Sequence, residues 1–299
     1  MVQDKAQSRI ALSAVAVCLS DEHYTEVVEG SGVAPELLEG RYRTVTAKEA
    51  QALGFSERQA RDGLLITLCS PKGERSYVLK PYKPRTEVKK NGKQKFHKYE
   101  QEGSFRSVVD VHPSMRWRLL SSDEPMYVTE GAKEADCLAS RDRLAVDLAG
   151  VGRSGRDRRE LLPDWDDVPL EGRRVYIAFD ADFQKRRKVA RASVRLAERL
   201  TGRGARVYII WLPGPENGID DFIVAGGDLE WLEENATPYQ ARDFAPYLAK
   251  NSEVMRQAIA ATERRLSLTT LLRALIWRGK LRLFDRVRRA CLRRRSERL

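Results

Sequence analysis

Five carboxylates lie where a chain that alternates strand and helix would bring them to a ligand. Glu130 closes the run Pro125–Glu130 and is followed by Gly131. Asp180 and Asp182 close the run Arg173–Asp182, and Asp220 and Asp221 stand in "ENGIDDF", beyond the run Ala205–Pro213. In an open parallel sheet, ligands gather outside the C-terminal ends of the strands. Residues two apart on an extended chain project to the same side, so Asp180 and Asp182 can reach one cation. The glycine after Glu130 allows close approach of backbone to a ligand. Mg²⁺ or Mn²⁺ suits such hard oxygen donors, since Mg²⁺ keeps several waters and completes its shell from substrate phosphates. Glu130 is then placed to act as general acid or base at a sugar hydroxyl or leaving oxygen. Taken singly, a Glu-Gly is an ordinary turn, a D-x-D a solvated strand end or cap, and an Asp-Asp an N-cap. Their order along the chain, each after a strand of one sheet, points to a shared site.

The elements that must position these groups occupy residues 121–243. "PMYVTE", "LAVDLAG", "RRVYIAFDAD" and "ARVYIIWLP" are near-continuous apolar runs that alternate with helical segments such as "GAKEADCLAS" and "KVARASVRLAERLTGRG". That alternation predicts an α/β fold with a parallel sheet flanked by helices on both faces. Residues 1–120 read as a smaller α+β basic subdomain: short helices and turns over 1–60, including a capped helix at Thr46–Gly54, then a β-hairpin over Asp62–Tyr82. From Lys72 to Lys98 there are ten Lys/Arg and two acids, and Arg85–Lys95, with almost nothing to bury, is expected to be a mobile basic loop. Residues 244–299 read as a basic helical tail. Its last stretch, Arg278–Leu299, carries ten Lys/Arg against two acids. This is either a solvated basic face or a contact for nucleic acid, a partner protein or a membrane surface.

A formal net charge of +11 favours a polyanionic partner, because Lys and Arg gain affinity by displacing phosphate counterions. The four cysteines are far apart with no C-x-x-C pair, and the three histidines lack metal-ligand spacing. A zinc ribbon and a disulfide framework are thereby disfavoured, and a reducing, cytoplasmic setting is expected. The apolar run Ile10–Leu19 has no convincing cleavage site and is too short to span a bilayer, so it reads as a helix and no membrane partner is expected.

"YVTEGAKEA", followed about fifty residues later by "VYIAFDAD", resembles the Toprim fold shared by bacterial primases, topoisomerases and some nucleases. The resemblance covers roughly residues 120–240. It implies a catalytic or metal-organising role for Glu130, metal binding by Asp180 and Asp182, and a further acidic position at Asp220 or Asp221. The segment "DGLLITLCSPKGERSYVLKP…KFHKYE" resembles the part of primases that precedes Toprim, where a basic subdomain ends in a Lys-Tyr pair. Lys98-Tyr99 stand there, which implies that Lys98 holds primer–template or nucleotide phosphates. The elements Ser31-Gly32-Val33, Gly54-Phe55, Gln59, Thr129–Asp136, Ala178–Asp182 and Gly218–Phe222 are similar to Toprim proteins of plasmids, phages and integrated elements. The chain also departs from the primase pattern. Glu134 stands where primases often have aspartate, Asp136 is an additional acid, and Lys133 puts positive charge beside Glu130. "FQKRRK" (183–188), with Lys185 and Arg186, replaces a small turn; these residues either bind phosphate near the metal or cap a helix. The sequence contains neither the Cys/His cluster of a primase zinc module nor a G-x-x-x-x-G-K-[ST] loop, so a partner is expected to supply template selection.

The resemblance implies a Mg²⁺-dependent primase-like nucleotidyltransferase that uses single-stranded DNA and NTPs in replication of a mobile element. Arg85, Lys95 and other basic residues of 72–98 would track the template, and a replicative helicase or other replication protein would be its partner. A Toprim phosphodiesterase is a second reading. A third is a non-catalytic DNA-binding, helicase-recruiting module, in which Phe96, Tyr99 and Phe105 either stack on bases or simply pack. Topoisomerase activity is not expected, for want of strand-passage domains.

Overall fold

The computed structural model describes residues 19–88, 91–92, 94–148, 161–180, 187–213 and 218–248. The expected helix at the N-terminus and the basic tail beyond 248 lie outside these residues, as do Asp182, Lys185 and Arg186. No helix among the described residues is long and apolar enough to cross a membrane.

The expected parallel sheet is present. Strands β8 (Met126–Thr129), β9 (Leu144–Asp147), β10 (Arg174–Ile177) and β11 (Arg206–Ile209) run parallel in the order β11-β10-β8-β9. Short antiparallel strands close both edges: β7 (Asp110–Val111) beside β9 and β12 (Thr237–Pro238) beside β11. The two-residue period of extended chain divides the side chains between two cores. Met126, Val128, Leu144, Val146, Val175, Ile177, Val207 and Ile209 share one core with Leu119 of α3 (Arg116–Ser121), Trp165, Phe244 and the apolar stripe Val194, Ala197 and Leu200 of the long helix α5 (Arg187–Gly202). Tyr127, Ala145, Tyr176, Ala178 and Ile210 face the other, under α4 (Ala132–Ala139), α6 (Ile219–Val224) and α7 (Leu229–Glu234). The C-terminal strand ends are thus held between two layers of helix.

The expected hairpin over Asp62–Tyr82 is formed by β2 (Gly63–Cys69) and β3 (Arg75–Pro81), in antiparallel register from Gly63↔Pro81 to Cys69↔Arg75. Ahead of it come α1 (Asp21–Tyr24), a π-helical turn (Thr25–Gly30) and α2 (Ala47–Ala52), whose Thr46 cap and Glu49 form the expected capping box. Two expectations need correction. First, residues 1–60 are not only helices and turns. Tyr42–Val45 is strand β1, paired with β2, so the hairpin belongs to a four-stranded sheet β1-β2-β3-β6 with β6 at Glu100–Gln101. Only four residues long and flanked by Arg41, β1 carries too weak an alternation to declare itself. Second, Arg85–Lys95 is not loop throughout. Arg85–Val88 (β4) and Gln94–His97 (β5) pair as an antiparallel ribbon. Its Asn91-Gly92 sequence favours a hairpin, and Gly92 adopts φ +74°, a conformation glycine takes without steric cost. Arg85, bonded to the buried Glu100 at 2.9 and 3.3 Å, anchors the base.

The antiparallel sheet is joined to the parallel one through a fully buried guanidinium. All five N–H donors of Arg41 are used: Nε and Nη2 bond Asp136 at 2.7 and 3.2 Å, Nη1 and Nη2 bond Asp110 at 2.8 and 2.5 Å, and Nη1 bonds the Thr67 carbonyl at 2.7 Å. Tyr42 donates its hydroxyl to Asp136 at 2.5 Å, and the Cys69 N–H donates to Asp110 at 2.6 Å. Arg41 adjoins β1, Asp110 lies in β7 and Asp136 in α4, so three elements meet at one charge. Burial opposes ionisation of Asp110, but the attraction of Arg41 wins and holds its carboxyl below the ordinary aspartate range. Arg41→Met should therefore leave two buried aspartates without their counter-charge and destabilise the protein by about 3–5 kcal/mol in urea unfolding. A loss under about 1 kcal/mol would mean that the pocket opens to water instead.

Candidate active site

Glu130, one residue beyond β8, and Asp180, three beyond β10, both reach the C-terminal edge of the parallel sheet, partly buried. Asp220 enters from the first turn of α6 and is buried there. Glu134 joins them from α4, one helical turn past Glu130, and its Oε2 accepts the Glu130 N–H at 3.2 Å. Gly218 marks where the three elements meet. A Cβ at this residue would lie 3.5 Å from Glu134 Oε1, 3.6 Å from Asp180 Oδ1 and 2.5 Å from Asp220 Oδ1. Only a residue without a side chain leaves that space to the carboxylates.

The crowding is visible in the acid chemistry. Burial, then repulsion from Asp180 and Asp220, pushes the Glu134 carboxyl well above the ordinary glutamate range, against the opposing bond from the Glu130 N–H. Burial also raises Asp220, which a hydrogen bond with Ser31 partly offsets. Ser31 belongs to the "SGV" element singled out in the sequence. Tyr99 contributes from the end of the ribbon: burial and the nearby charges of Glu26, Glu134, Asp220 and Asp147 push its hydroxyl up to about 12.

These donors fit a divalent cation in kind. All are hard oxygens, they surround space that a Cβ would fill, and their mutual repulsion is what a bound cation relieves. Among the described residues, no group of three or more His, Cys, Asp or Glu is yet arranged to hold a metal ion. Asp182, the remaining predicted ligand, lies outside those residues.

The other predicted residues are distributed differently. Asp221 is exposed and its Oδ2 accepts the Gly218 N–H at 3.3 Å, the cap role that an Asp-Asp pair ordinarily plays. Arg85 is committed to Glu100, and Lys133 to Glu26 at 2.9 Å. Lys95 and Lys98 are exposed, with Lys98 Nζ 5.5 Å from the centre of the Tyr99 ring. Phe96 stands 65% exposed on the ribbon, whereas Phe105 packs against the core beside β2. Asp136, the additional acid, belongs to Arg41 and not to this cluster. The residue that the sequence underweighted is Glu134, although its spacing of four from Glu130 and its place in the first turn of a helix already carried the signal.

A family model described as a domain of unknown function, DUF3854, matches residues 116–229. An uncharacterised protein of Picosynechococcus sp. is 26% identical over 269 residues, a match covering 70% of this chain and 27% of that protein. The chain thus spans about a quarter of the length of that relative. Similar solved structures include the Aquifex aeolicus primase (zinc-binding and RNA polymerase domains), with 15% identity, a TM-score of 0.48, and coverage of 85% of this chain and 72% of that one. The primase fragment of the bacteriophage T7 primase-helicase protein has 16% identity, a TM-score of 0.36, and coverage of 69% and 71%.

The direction of the Glu134 shift sets a pH signature. A carboxyl whose folded form keeps its proton favours the unfolded chain once the pH exceeds the ordinary value of 4.5, where only the unfolded form ionises. In chelator, Glu134→Gln should therefore raise stability at pH 7.5. The gain should shrink toward pH 4, where both states hold the proton. Thermal unfolding across pH 4–8 measures it, and a gain that grew on acidification would contradict the geometry.

Proposed function

We propose that this chain is a Mg²⁺- or Mn²⁺-dependent primase-like nucleotidyltransferase that joins NTPs on a single-stranded DNA template. The observation that carries the reading is the approach of Glu134, Asp180 and Asp220 to the Gly218 position, with Glu130 bonded to Glu134. The Toprim resemblance of the sequence assigns chemistry to this same strand edge. Glu130, Glu134, Asp180 and Asp220, with Asp182, would hold the cations, which supply neutralisation and orientation of phosphate oxygens. Glu130 would also serve as general acid or base toward the reacting hydroxyl, and the exposed Lys95 and Lys98 would meet the template backbone. A replicative helicase or other replication protein, in the setting of a plasmid or phage, would bring it to its template.

A second reading, a binding module without catalysis, is favoured by one observation. The ribbon presents Thr86, Val88, Gln94 and Phe96 on one open face, with Lys95 on the other, an arrangement suited to stacking on single-stranded bases.

Labelled NTPs incubated with single-stranded DNA and Mg²⁺ or Mn²⁺ separate the readings. Template-dependent oligomers are expected, reduced about 100-fold or more in Glu130→Gln and lost in Asp180→Asn. Shortening of the DNA would make the protein a phosphodiesterase. Binding with neither product, unchanged in Asp180→Asn, would establish the non-catalytic module.

A further inference from the structure

Beside the carboxylate cluster, one glutamate bridges two lysines from distant parts of the chain. Glu26, on the π-helical turn, accepts from Lys133 Nζ at 2.9 Å through Oε1 and from Lys80 Nζ through Oε2. Lys80 lies in β3 and Lys133 in the first turn of α4. All three remain accessible, with 20–27% of each side chain exposed. Their place is fixed by their neighbours. The charge of Lys133 acts on Asp220, and Glu26, Glu134 and Asp220 all act on the Tyr99 hydroxyl. Burial alone would raise the Glu26 carboxyl, but the bonds from Lys80 and then Lys133 hold it below the ordinary range, so it is an anion.

The ordinary account is a staple joining three elements. Partly exposed ion pairs contribute little to stability, and the buried Arg41 network and the apolar core already join the same parts. The charges suggest more: two ammonium groups share a single carboxylate, leaving one positive charge in surplus at the rim of an acidic site. Two oxygens of one anion, each taking a different lysine, is also how a phosphate group sits between two ammonium groups. A triphosphate, with several negative charges, outcompetes a single carboxylate for both.

We propose that Lys80 and Lys133 form a phosphate subsite flanking the carboxylate cluster, with Glu26 as a built-in competitor that phosphate displaces. The phosphate comes from a nucleotide triphosphate or from the backbone of a strand. This inference deepens the reading above and rests on it only for the neighbouring cations.

The test is calorimetric titration of the full chain with inorganic triphosphate in chelator, so that its result does not depend on the cation site. Glu26→Gln should bind about tenfold more tightly than the wild-type protein, and Lys80→Met and Lys133→Met each about tenfold more weakly. In the Lys80→Met/Lys133→Met background, Glu26→Gln should have no further effect. Parallel titration with an oligothymidylate identifies the source: a matching gain in Glu26→Gln assigns the subsite to the strand, and a gain for triphosphate alone assigns it to the nucleotide. Equal or weaker triphosphate binding by a Glu26→Gln protein with wild-type thermal unfolding would overturn the proposal. Loss of metal-dependent products in Asp180→Asn, with these affinities unchanged, would leave it standing.

Discussion

The buried guanidinium of Arg41 is the constraint on which the remaining geometry depends. It cannot be sequestered from water unless every donor is met, and the partners that meet them come from β2, β7 and α4. That requirement fixes the antiparallel sheet against the parallel one. It also fixes the rotation of α4 about its axis, because Asp136 on the inner side of that helix belongs to the same network. Once Asp136 faces Arg41, Glu134 and Lys133 are carried to the sheet edge, one toward the carboxylates and the other toward Glu26. A well-packed apolar contact would hold two layers together as firmly. A charge with a fixed fork of donors additionally specifies register, and register is what a site assembled from three strand ends requires.

The site itself works against folding. Glu134 sits near Asp180 and Asp220 where burial already disfavours its charge, and the Glu130 N–H at Glu134, with Ser31, the Asp221 N–H and the Lys133 charge at Asp220, answers only in part. Such an arrangement survives because the two apolar cores and the Arg41 network stabilise the scaffold elsewhere. Local conflict of this kind, in a chain that is otherwise consistent from pattern to packing, is characteristic of functional sites.

Much of this was legible in the sequence, for a physical reason. Near-continuous apolar runs alternating with helical segments define a doubly covered parallel sheet, and a sheet of that type has one edge where ligands gather, so Glu130, Asp180 and Asp220 could be placed by counting along each strand. What remained hidden depends on contacts between distant residues. Arg41 and Asp136 are 95 residues apart, and Lys133 and Glu26 are 107 apart. Nothing local distinguishes an arginine that will be committed within the fold from one that will meet phosphate, which is why the sequence offers Arg85 for the template although it is bonded to Glu100. The ribbon is hidden differently: a segment with little to bury predicts a loop, although backbone pairing, cross-strand ion pairs such as His97–Glu87 and an Asn-Gly turn need no core.

The charge distribution makes one further point about how such a protein meets a polyanion. The whole chain carries +11, yet the place where chemistry is assigned is a cluster of carboxylates that repels phosphate. Exposed lysines on the ribbon can attract a strand only over about a Debye length, roughly 10 Å at 0.1 M salt. Attraction of that range brings a polyanion to the rim, but it cannot carry a phosphate into the acidic centre. Entry needs positive charge at closer quarters: among the described residues the lysine pair that Glu26 now bridges lies there, and under the proposed function a cation held by the carboxylates would add to it. With both in place, a phosphate group would cross from a basic rim to a neutralised centre without passing an uncompensated negative charge. On that proposal, acidic centre and basic rim are two halves of one electrostatic device.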